Sequence, residues 1–213
     1  MKATFWDKRS KKYDDNIKKH DSIYEKTIDR TKALLNNSDV VLDLACASGE
    51  MSLDIAPHVQ RVHGIDQSIK MIELANQKAR DRQVDNINFD QIDALDQRLV
   101  SNSFSDVVAF NIFHLLDDAP KVLGRLNDLL PTGGLLISQT PCLGERSWFF
   151  RSLISLAQKL RFAPTISSLT IAELESLVSN SNFEIFETKI WDEKNAVQWI
   201  VARKIKNAGD FGR

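Results

Sequence analysis

The chain has 213 residues, of which 43% are hydrophobic and 27% charged, and this length suits one globular domain that buries roughly 70% of its unfolded surface. Eight glycines and five prolines are too few for a collagen-like or linker-rich chain. The 28 basic and 29 acidic residues exclude a polyelectrolyte, and the net charge of −1 gives no overall attraction to nucleic acid or to an anionic membrane.

The cysteines and the first residues indicate the compartment. Cys46 and Cys142 lie in apolar, strand-like surroundings and form neither a disulfide pattern nor a C-x-x-C motif. The first 15 residues are basic but have no apolar h-region, and no stretch approaches ~20 uninterrupted apolar residues. We expect a soluble, cytoplasmic protein without a transmembrane segment and, since no ligand spacing occurs, without a metal site.

Short apolar runs alternate with helical patterns over the first two thirds of the chain. Five runs, apolar on both faces, predict parallel strands covered by helices; they are residues 40–44, 61–65, 87–92, 106–110 and 135–137. Ser68 can cap one intervening helix, and Asp117 or Asp118 can cap another that has Pro120 in its first turn. The repeated strand–helix–strand order favours a doubly wound α/β sheet.

The last third of the chain has a different pattern. Thr170 and Glu173 form a capping box that opens a helix through about residue 178. Residues 183–187 and 196–201 then predict two strands joined by a short polar link, residues 191–195, and therefore an antiparallel hairpin. We expect a mostly parallel seven-stranded sheet that ends in this hairpin and has helices on both faces.

The loop after the first predicted strand carries most of the functional information. Ala45, Ala47 and Gly49 place small residues at alternate positions, which lets a ligand approach the backbone closely. Asp43, at the end of the strand, would repel a pyrophosphate but suits a cationic ammonium group or a hydroxyl.

The pattern D-x-A-x-A-x-G, from Asp43 to Gly49, resembles the first motif of the Rossmann-like (class I) S-adenosylmethionine (SAM)-dependent methyltransferases of the small-molecule type. That motif is an acid followed by G-x-G-x-G, so Ala45 and Ala47 replace two of its glycines. The resemblance extends over residues 39–204. It implies a Rossmann-like doubly wound fold, SAM as the cofactor and S-adenosylhomocysteine as the product.

Later positions extend the resemblance to the cofactor site. Asp66 follows Asp43 by 23 positions, the span of one βαβ unit, and resembles the ribose-binding carboxylate of the family, with Gln67 beside it. Asp93 and Ala94 resemble the third motif, in which the acid faces the adenine amino group.

The fourth strand is followed by Asn111 and His114, which resemble the loop of the family that lies beside both cofactor and substrate. The resemblance therefore implies a cofactor-binding set of Asp43, Ala45, Gly49, Asp66, Gln67, Asp93, Ala94 and Asn111.

Each candidate also has an ordinary structural interpretation. Asp43 and Asp66 could cap the helices that follow them, and an aspartate such as Asp93 is common at a strand end. His114 is the single catalytic candidate: it could orient substrate or act as a base, or it could be a packed or exposed histidine.

Two further segments are predicted on the substrate side. Tyr13 resembles a tyrosine that folds over the cofactor in related methyltransferases, although the basic segment around it could equally be a solvated tail. If residues 147–162 are helical, Trp148 lies off their apolar stripe, which suggests a lid over an apolar substrate or a surface that contacts lipid or a partner. Tyr13, His114 and Trp148 are the substrate candidates.

These observations predict one methyltransferase domain with four parts. Residues 1–35 form an N-terminal helical cap, 36–140 the cofactor-binding core, 141–180 a helical insert or lid, and 181–205 the hairpin. We expect methyl transfer from SAM to a small-molecule or lipid-like acceptor by in-line displacement, with the insert as a candidate for peripheral membrane contact.

Other functions remain open at this point. An NAD(P)-dependent oxidoreductase is disfavoured because no G-x-G-x-x-G motif occurs. A SAM-fold binding or regulatory protein without catalysis is compatible with the two alanines in the first motif. A nucleic-acid acceptor is not expected, because the charge is balanced and no N-P-P-type motif follows the fourth strand.

Overall fold

A computed structural model describes residues 3–10, 13, 22–147 and 166–205 of the chain. The chain divides into two compact units, Lys2–Arg98 and Leu99–Arg213. The predicted division into cap, core, insert and hairpin stays a prediction. Trp148 and the rest of residues 148–165, which are part of the predicted insert, lie outside the described residues.

The first unit consists of three parallel strands and their helices. Its elements are α1 (Ala3–Asp7), α2 (Ser22–Lys32), β1 (Val40–Leu44), α3 (Glu50–Ile55), β2 (Arg61–Asp66), α4 (Ile69–Asp81) and β3 (Ile87–Gln91), with a 3-10 turn at Ala56–His58. β2 pairs with both β1 and β3, and the register places Asp43 opposite Gly64 and Asp66 opposite Gln91. The candidate acids of β1 and β2 therefore lie at the carboxyl ends of adjacent strands.

Local sequence explains α4, the helix between β2 and β3. Ser68 caps it as predicted, because its Oγ accepts a hydrogen bond from the Met71 backbone N–H at 3.2 Å. Its apolar face packs against Phe89 of β3 and Cys46 of the loop after β1. That face is formed by the buried side chains of Met71, Ile72, Ala75 and Ala79.

The second unit contains the other four strands. Its elements are β4 (Asp106–Phe110), α5 (Ala119–Leu129), β5 (Leu135–Pro141), α6 (Ile171–Ser179), β6 (Phe183–Asp192) and β7 (Val197–Lys204), with 3-10 turns at Phe113–Leu115 and Leu143–Glu145. β4 and β5 are parallel, whereas β7 is antiparallel to both β5 and β6. The predicted seven-stranded, mostly parallel sheet with a final antiparallel hairpin is confirmed.

The hairpin link is shorter than predicted. Trp191 and Asp192 belong to β6, so residues 193–196 connect the strands rather than 191–195. The reason is tertiary: the ring of Trp191 lies 5.4 Å from that of buried Trp199 on β7, and this contact keeps the end of β6 paired.

The helix ends of the second unit follow the predicted signals. Asp118, rather than Asp117, caps α5 by accepting a hydrogen bond from the Lys121 backbone N–H at 3.1 Å. The capping box at the start of α6 is complete, since Thr170 and Glu173 each accept a hydrogen bond from the backbone N–H of the other.

The described ranges hold neither a membrane-spanning helix nor a cluster of metal ligands. Among these residues, none of the helices has the length and apolar character needed to cross a bilayer. The same residues contain no group of three or more His, Cys, Asp or Glu side chains that could hold a metal ion. Cys46 and Cys142 are free thiols, and both are buried.

Two glycines give a matched pair of stability predictions. A Cβ at Gly64 would lie 2.5 Å from the Phe89 ring, whereas a Cβ at Gly124 of α5 would meet no atom within 4 Å. We expect Gly64→Ala to destabilise the protein by about 2 kcal/mol through overpacking. Gly124→Ala should stabilise it by about 0.5 kcal/mol, because alanine favours a helix interior. Urea unfolding measures the free energy of unfolding of both variants. If the two substitutions change it by the same amount, the packing argument is contradicted.

Candidate cofactor site

The loop after β1 has a left-handed backbone at alternate residues. Ala45 has φ of 59°, Ala47 of 49° and Gly49 of 76°. Glycine adopts this region freely, but an alanine there costs roughly 1–2 kcal/mol. The loop thus keeps the conformation that glycines would give it, although two of its residues carry a Cβ. Backbone strain of this kind persists where the surrounding contacts over-determine it, which is typical of ligand sites.

Backbone and side-chain contacts hold this loop in place. The Cys46 N–H donates to the Ile65 carbonyl at 3.0 Å, and the Gly49 N–H donates to the Cys46 carbonyl at 2.9 Å. A Cβ at Gly49 would lie 2.7 Å from the end of the Phe89 ring. Gly49 is therefore required by close packing as well as by its φ, whereas Ala45 and Ala47 are half-buried and satisfy only the backbone requirement.

Asp66, at the end of β2, ties this loop to the start of α4. One carboxylate oxygen accepts a hydrogen bond from the Ala47 N–H at 3.2 Å, and the other accepts one from the Ser68 N–H at 2.8 Å. Asp66 is 8% exposed, and burial raises its pKa while the backbone N–H groups oppose the rise. The Gln67 backbone N–H also contributes to stabilising this carboxylate, which keeps part of its acceptor capacity. The carboxylate thus has an ordinary capping role and can still accept a hydrogen bond from a ribose hydroxyl.

Asp43, at the end of β1, is almost fully buried and accepts a hydrogen bond from the Ser52 hydroxyl of α3. Burial raises the pKa of Asp43 to about 7; the Ser52 hydrogen bond opposes this shift and the nearby charge of Asp66 adds to it. A carboxyl group with this pKa ionises readily when a cation approaches at neutral pH. This property fits a ligand ammonium group better than it fits a helix cap.

The end of β3 has a simpler geometry. Asp93 is exposed, and one of its carboxylate oxygens accepts a hydrogen bond from the Leu95 backbone N–H at 2.8 Å, as in an ordinary Asx turn. Ala94 is buried, and the carbonyl of Gln67 accepts a hydrogen bond from the Gln91 side chain at 3.2 Å. These contacts fix the backbone of both turns, and the second carboxylate oxygen of Asp93 accepts no hydrogen bond from the part of the chain that the structure describes.

In the second unit, the turn after β4 begins with Asn111 in a left-handed conformation, with φ of 57°. The Asn111 N–H donates to the Gln139 carbonyl at 2.7 Å, and the Gln139 side-chain amide donates to the Asn111 side-chain oxygen at 3.2 Å. This pair of contacts fixes Asn111 against the neighbouring strand β5. Asn111 is exposed, and its side-chain amide nitrogen donates no hydrogen bond to the described residues.

His114 lies in the same turn and is 8% exposed. Burial lowers its pKa to about 4, so the imidazole is neutral at physiological pH. Its Nδ1 is buried and has no hydrogen-bond partner among the described residues, while its carbonyl accepts a hydrogen bond from the Ser167 N–H at 2.7 Å. A buried polar atom without a partner is costly, and it marks a place where a ligand can bind.

Sequence reasoning missed three side chains that shape the first unit. Ser52 was hidden because nothing in its local pattern distinguishes it from a surface serine. Glu50 directly follows Gly49, and its buried carboxylate contacts Lys78 of α4 at 2.9 Å and Arg82, the C-cap residue of that helix, at 2.6 Å. The four-residue spacing of these two bases was a usable signal. Asp7 contacts the α4 N-terminus, and its sequence separation of 61 residues from Ser68 gave no signal.

The comparisons with known proteins identify the family. A family model described as "Methyltransferase domain" matches residues 35–204. The chain belongs to this methyltransferase family. It is a class I SAM-dependent methyltransferase, and its cofactor is S-adenosylmethionine. The predicted enzyme class and cofactor are therefore confirmed.

The chain is similar to the following three proteins, one of which is named with its acceptor. An uncharacterized methyltransferase of Anoxybacillus flavithermus is 24% identical over 202 residues, 89% of this chain and 91% of the relative. A 23S rRNA (uracil(1939)-C(5))-methyltransferase of Legionella pneumophila is 40% identical over 78 residues, 35% of this chain and 18% of the relative. The YcgJ protein of Bacillus subtilis shares the fold, with a TM-score of 0.71, 14% identity and coverage of 86% of this chain and all (100%) of that one.

The structure brings together part of the predicted site of this methyltransferase. Asp43, Ala45, Gly49 and Asp66 are contributed by adjacent strand ends of the first unit. Gln67 follows Asp66 directly, while Asp93 and Ala94 follow β3, the strand paired with β2. In the second unit, Asn111 and His114 share one turn. The individual roles of these residues stay predictions.

The strained loop leads to a stability prediction. Because Ala45 and Ala47 have positive φ, replacing them with glycine relieves strain, and the greater freedom of glycine in the unfolded chain offsets only part of the gain. We expect the double variant Ala45→Gly, Ala47→Gly to be stabilised by about 1 kcal/mol. As a control, Ala119→Gly at the start of α5 should destabilise the protein by a few tenths to about 1 kcal/mol. Destabilisation of the loop variant in urea unfolding would show that its alanine methyl groups contribute packing that outweighs the strain.

The raised pKa of Asp43 leads to a pH prediction. Its folded-state pKa of about 7 exceeds the ordinary value of 3.8, so Asp43 contributes stability that is complete below about pH 4 and is lost as the pH rises through 7. Between pH 5 and 7, wild type should lose about 2 kcal/mol relative to Asp43→Asn, which cannot ionise. Chemical unfolding of both proteins at matched pH values measures this difference. A constant difference between them would mean that Asp43 is already ionised at pH 5.

Proposed function

We propose that this methyltransferase transfers the methyl group of SAM to a small-molecule or lipid-like acceptor by in-line displacement. The observation that carries this proposal is the buried, neutral His114, whose Nδ1 lacks a partner among the described residues. We assign the cofactor to Asp43, Ala45, Gly49, Asp66, Gln67, Asp93, Ala94 and Asn111. The acceptor is assigned to Tyr13, His114 and Trp148, of which Trp148 lies outside the described residues.

The first unit fits SAM in charge and in shape. SAM, when bound, supplies a methyl group that is already activated by the positive charge on its sulfur. The Asp66 carboxylate accepts from the Ala47 and Ser68 N–H groups and keeps acceptor capacity for hydrogen bonding with the ribose. Asp43 can ionise against the ammonium group of the methionine part, and the left-handed backbone at Ala45 and Gly49 allows close approach.

His114 suits an orienting role better than that of a strong base. An imidazole with a pKa of about 4 holds a proton too weakly to keep it at neutral pH. Its unpartnered nitrogen can nevertheless accept a hydrogen bond from an O–H or N–H group of an acceptor and direct the acceptor lone pair. The proton of the acceptor then passes to water after transfer. The neighbours Ile112, Phe113 and Leu115 are buried and apolar, which supports a dry pocket for this step.

A small or lipid-like acceptor agrees better with the charge of the chain than an RNA does. A protein that tracks a polyphosphate needs an excess of basic residues, and this chain has a net charge of −1. The similarity to the rRNA methyltransferase covers 18% of that relative, so most of the relative has no counterpart in the match. Methylation of RNA is therefore an outcome of the test rather than the proposal.

The cofactor assignment is tested by removing the ribose-binding carboxylate. Asp66→Ala should weaken SAM binding roughly tenfold or more, because it removes hydrogen bonds to two ribose hydroxyls. Asp85→Ala is the matched control, since Asp85 is an exposed acid of the same unit with no recorded contact. Isothermal titration calorimetry measures both affinities. If folded Asp66→Ala binds SAM as wild type does, Asp66 has no role in cofactor binding.

The acceptor class is tested with SAM carrying a radiolabelled methyl group. Purified protein is incubated separately with a metabolite extract, a lipid extract and total RNA. Asp66→Ala, assayed at a SAM concentration well below its dissociation constant, serves as the control with reduced transfer. Label in the metabolite or lipid fraction supports the proposal, whereas label in RNA alone replaces it. Absence of label in all three fractions would favour a SAM-binding protein without catalysis. His114→Ala should lower transfer while its SAM affinity stays within about twofold of wild type.

A further inference from the structure

Asp7, the last residue of α1, contacts the start of α4. One of its carboxylate oxygens accepts a hydrogen bond from the Ser68 hydroxyl at 2.6 Å and a longer one from the Lys70 backbone N–H at 3.3 Å. Ser68 is the N-cap of α4, and Lys70 lies in the first turn of that helix, where backbone N–H groups lack partners within the helix. A carboxylate at this position also interacts favourably with the helix dipole. This contact attaches the N-terminal helix to the first unit.

Ser68 connects Asp7 to the candidate ribose site. The Ser68 hydroxyl has one hydrogen, which it donates to Asp7, and its oxygen accepts a hydrogen bond from the Met71 N–H. Its backbone N–H donates to Asp66 at 2.8 Å, and Asp66 in turn accepts from the Ala47 N–H. A continuous chain of hydrogen bonds therefore runs from α1 through Ser68 and Asp66 to the loop after β1.

The segment attached by Asp7 is held together by aromatic contacts. We call residues 3–10 and 13 the N-terminal cap. The ring of Trp6 lies 5.2 Å from that of Phe5 and 6.2 Å from that of Tyr13, both edge to face, and the Arg9 guanidinium lies 4.3 Å from the centre of the Phe5 ring. Tyr13, the substrate-side candidate, is therefore held by Trp6, one residue before Asp7.

The charge of Asp7 has two opposing effects: it is favourable at the N-terminus of α4 and unfavourable beside Asp66. The negative charge of Asp7 lies close enough to Asp66 to raise its pKa further, so the two carboxylates repel each other. A neutral cap such as asparagine would bind the same N–H and O–H donors without this repulsion. The charge strengthens the Ser68 hydrogen bond and makes it sensitive to what binds at Asp66.

We propose that Asp7 is a positioning residue that, through Ser68, couples docking of the N-terminal cap to the binding of SAM at Asp66. The inference rests on the proposed role of Asp66. A ribose bound by Asp66 fixes that carboxylate, and this in turn fixes the Ser68 backbone and the hydroxyl that Asp7 accepts from. The coupling is reciprocal. When the cap is docked, Asp66 and Ser68 are already ordered, so less entropy is lost when the cofactor binds and the affinity for the cofactor is higher. By the same linkage, S-adenosylhomocysteine dissociates more readily when the cap is undocked.

Limited trypsin digestion and calorimetry of the full chain test the coupling. In wild type, saturating S-adenosylhomocysteine should slow cleavage after Lys8 and Arg9 at least fivefold. Asp7→Ala should lose this protection, and its affinity for S-adenosylhomocysteine should fall about fivefold, equivalent to about 1 kcal/mol. Asp7→Asn, which keeps an acceptor oxygen, should retain most of the protection. Thr4→Ala, an exposed position of α1, is the matched control and should behave as wild type.

The outcomes separate this inference from the proposed function. If wild type binds neither SAM nor S-adenosylhomocysteine, the proposed function fails. If wild type binds and Asp7→Ala keeps both protection and affinity, the coupling is absent. If Asp7→Ala also lowers the melting temperature, the binding affinities of Ser68→Ala and of the double variant distinguish coupling from a general loss of stability. If Asp7 and Ser68 act through each other, the double variant should bind S-adenosylhomocysteine no more weakly than the single variant with the lower affinity. Losses of binding free energy that add in the double variant would contradict the inference.

Discussion

A single buried carboxylate organises the first unit. Asp66 accepts hydrogen bonds from the backbone of the loop after β1 and from the start of α4, so two loops that are distant in sequence share one anchor. Charge-assisted bonds to backbone N–H groups are strong enough to hold a loop in an unfavourable conformation. The positive φ angles of Ala45 and Ala47 depend on this anchor and on the contact of Cys46 with β2.

The alanines in the first motif show which features of a glycine the fold requires. At Gly49 the requirement is steric, because the Phe89 ring fills the space that a Cβ would need. At positions 45 and 47 the requirement is only a left-handed backbone, which alanine meets at the cost of strain. A sequence motif written with three glycines therefore combines a steric constraint with a constraint on the backbone φ angle. At positions 45 and 47 this methyltransferase meets the φ constraint with alanine in place of glycine.

Burial sets the chemistry of the ionisable groups on both units. It holds Asp43 near its point of ionisation at neutral pH and keeps His114 neutral. A cationic cofactor is stabilised by an acid that can ionise when the cofactor binds. The acceptor needs its lone pair oriented towards the methyl group in a pocket without water. In the roles proposed for Asp43 and His114, desolvation of ordinary side chains would meet these demands without a triad-like pattern in the sequence. The same desolvation makes Asp43 unfavourable for stability when it is ionised.

Local sequence determined the helices and strands and the positions of the candidate site residues along the chain. Tertiary structure decided the hydrogen-bond partners and the burial of those residues. The apolar runs, the caps at Ser68 and Thr170 and the acids at strand ends follow from interactions within a few residues, so the chain predicts them directly. The Trp191–Trp199 contact that shortened the hairpin link, the Ser52 partner of Asp43 and the contact of Asp7 with Ser68 join residues that are distant in sequence or locally unremarkable. Hydrogen bonds and desolvation of this kind depend on which side chains the folded backbone brings within about 3 Å of each other, and a linear pattern does not contain those distances.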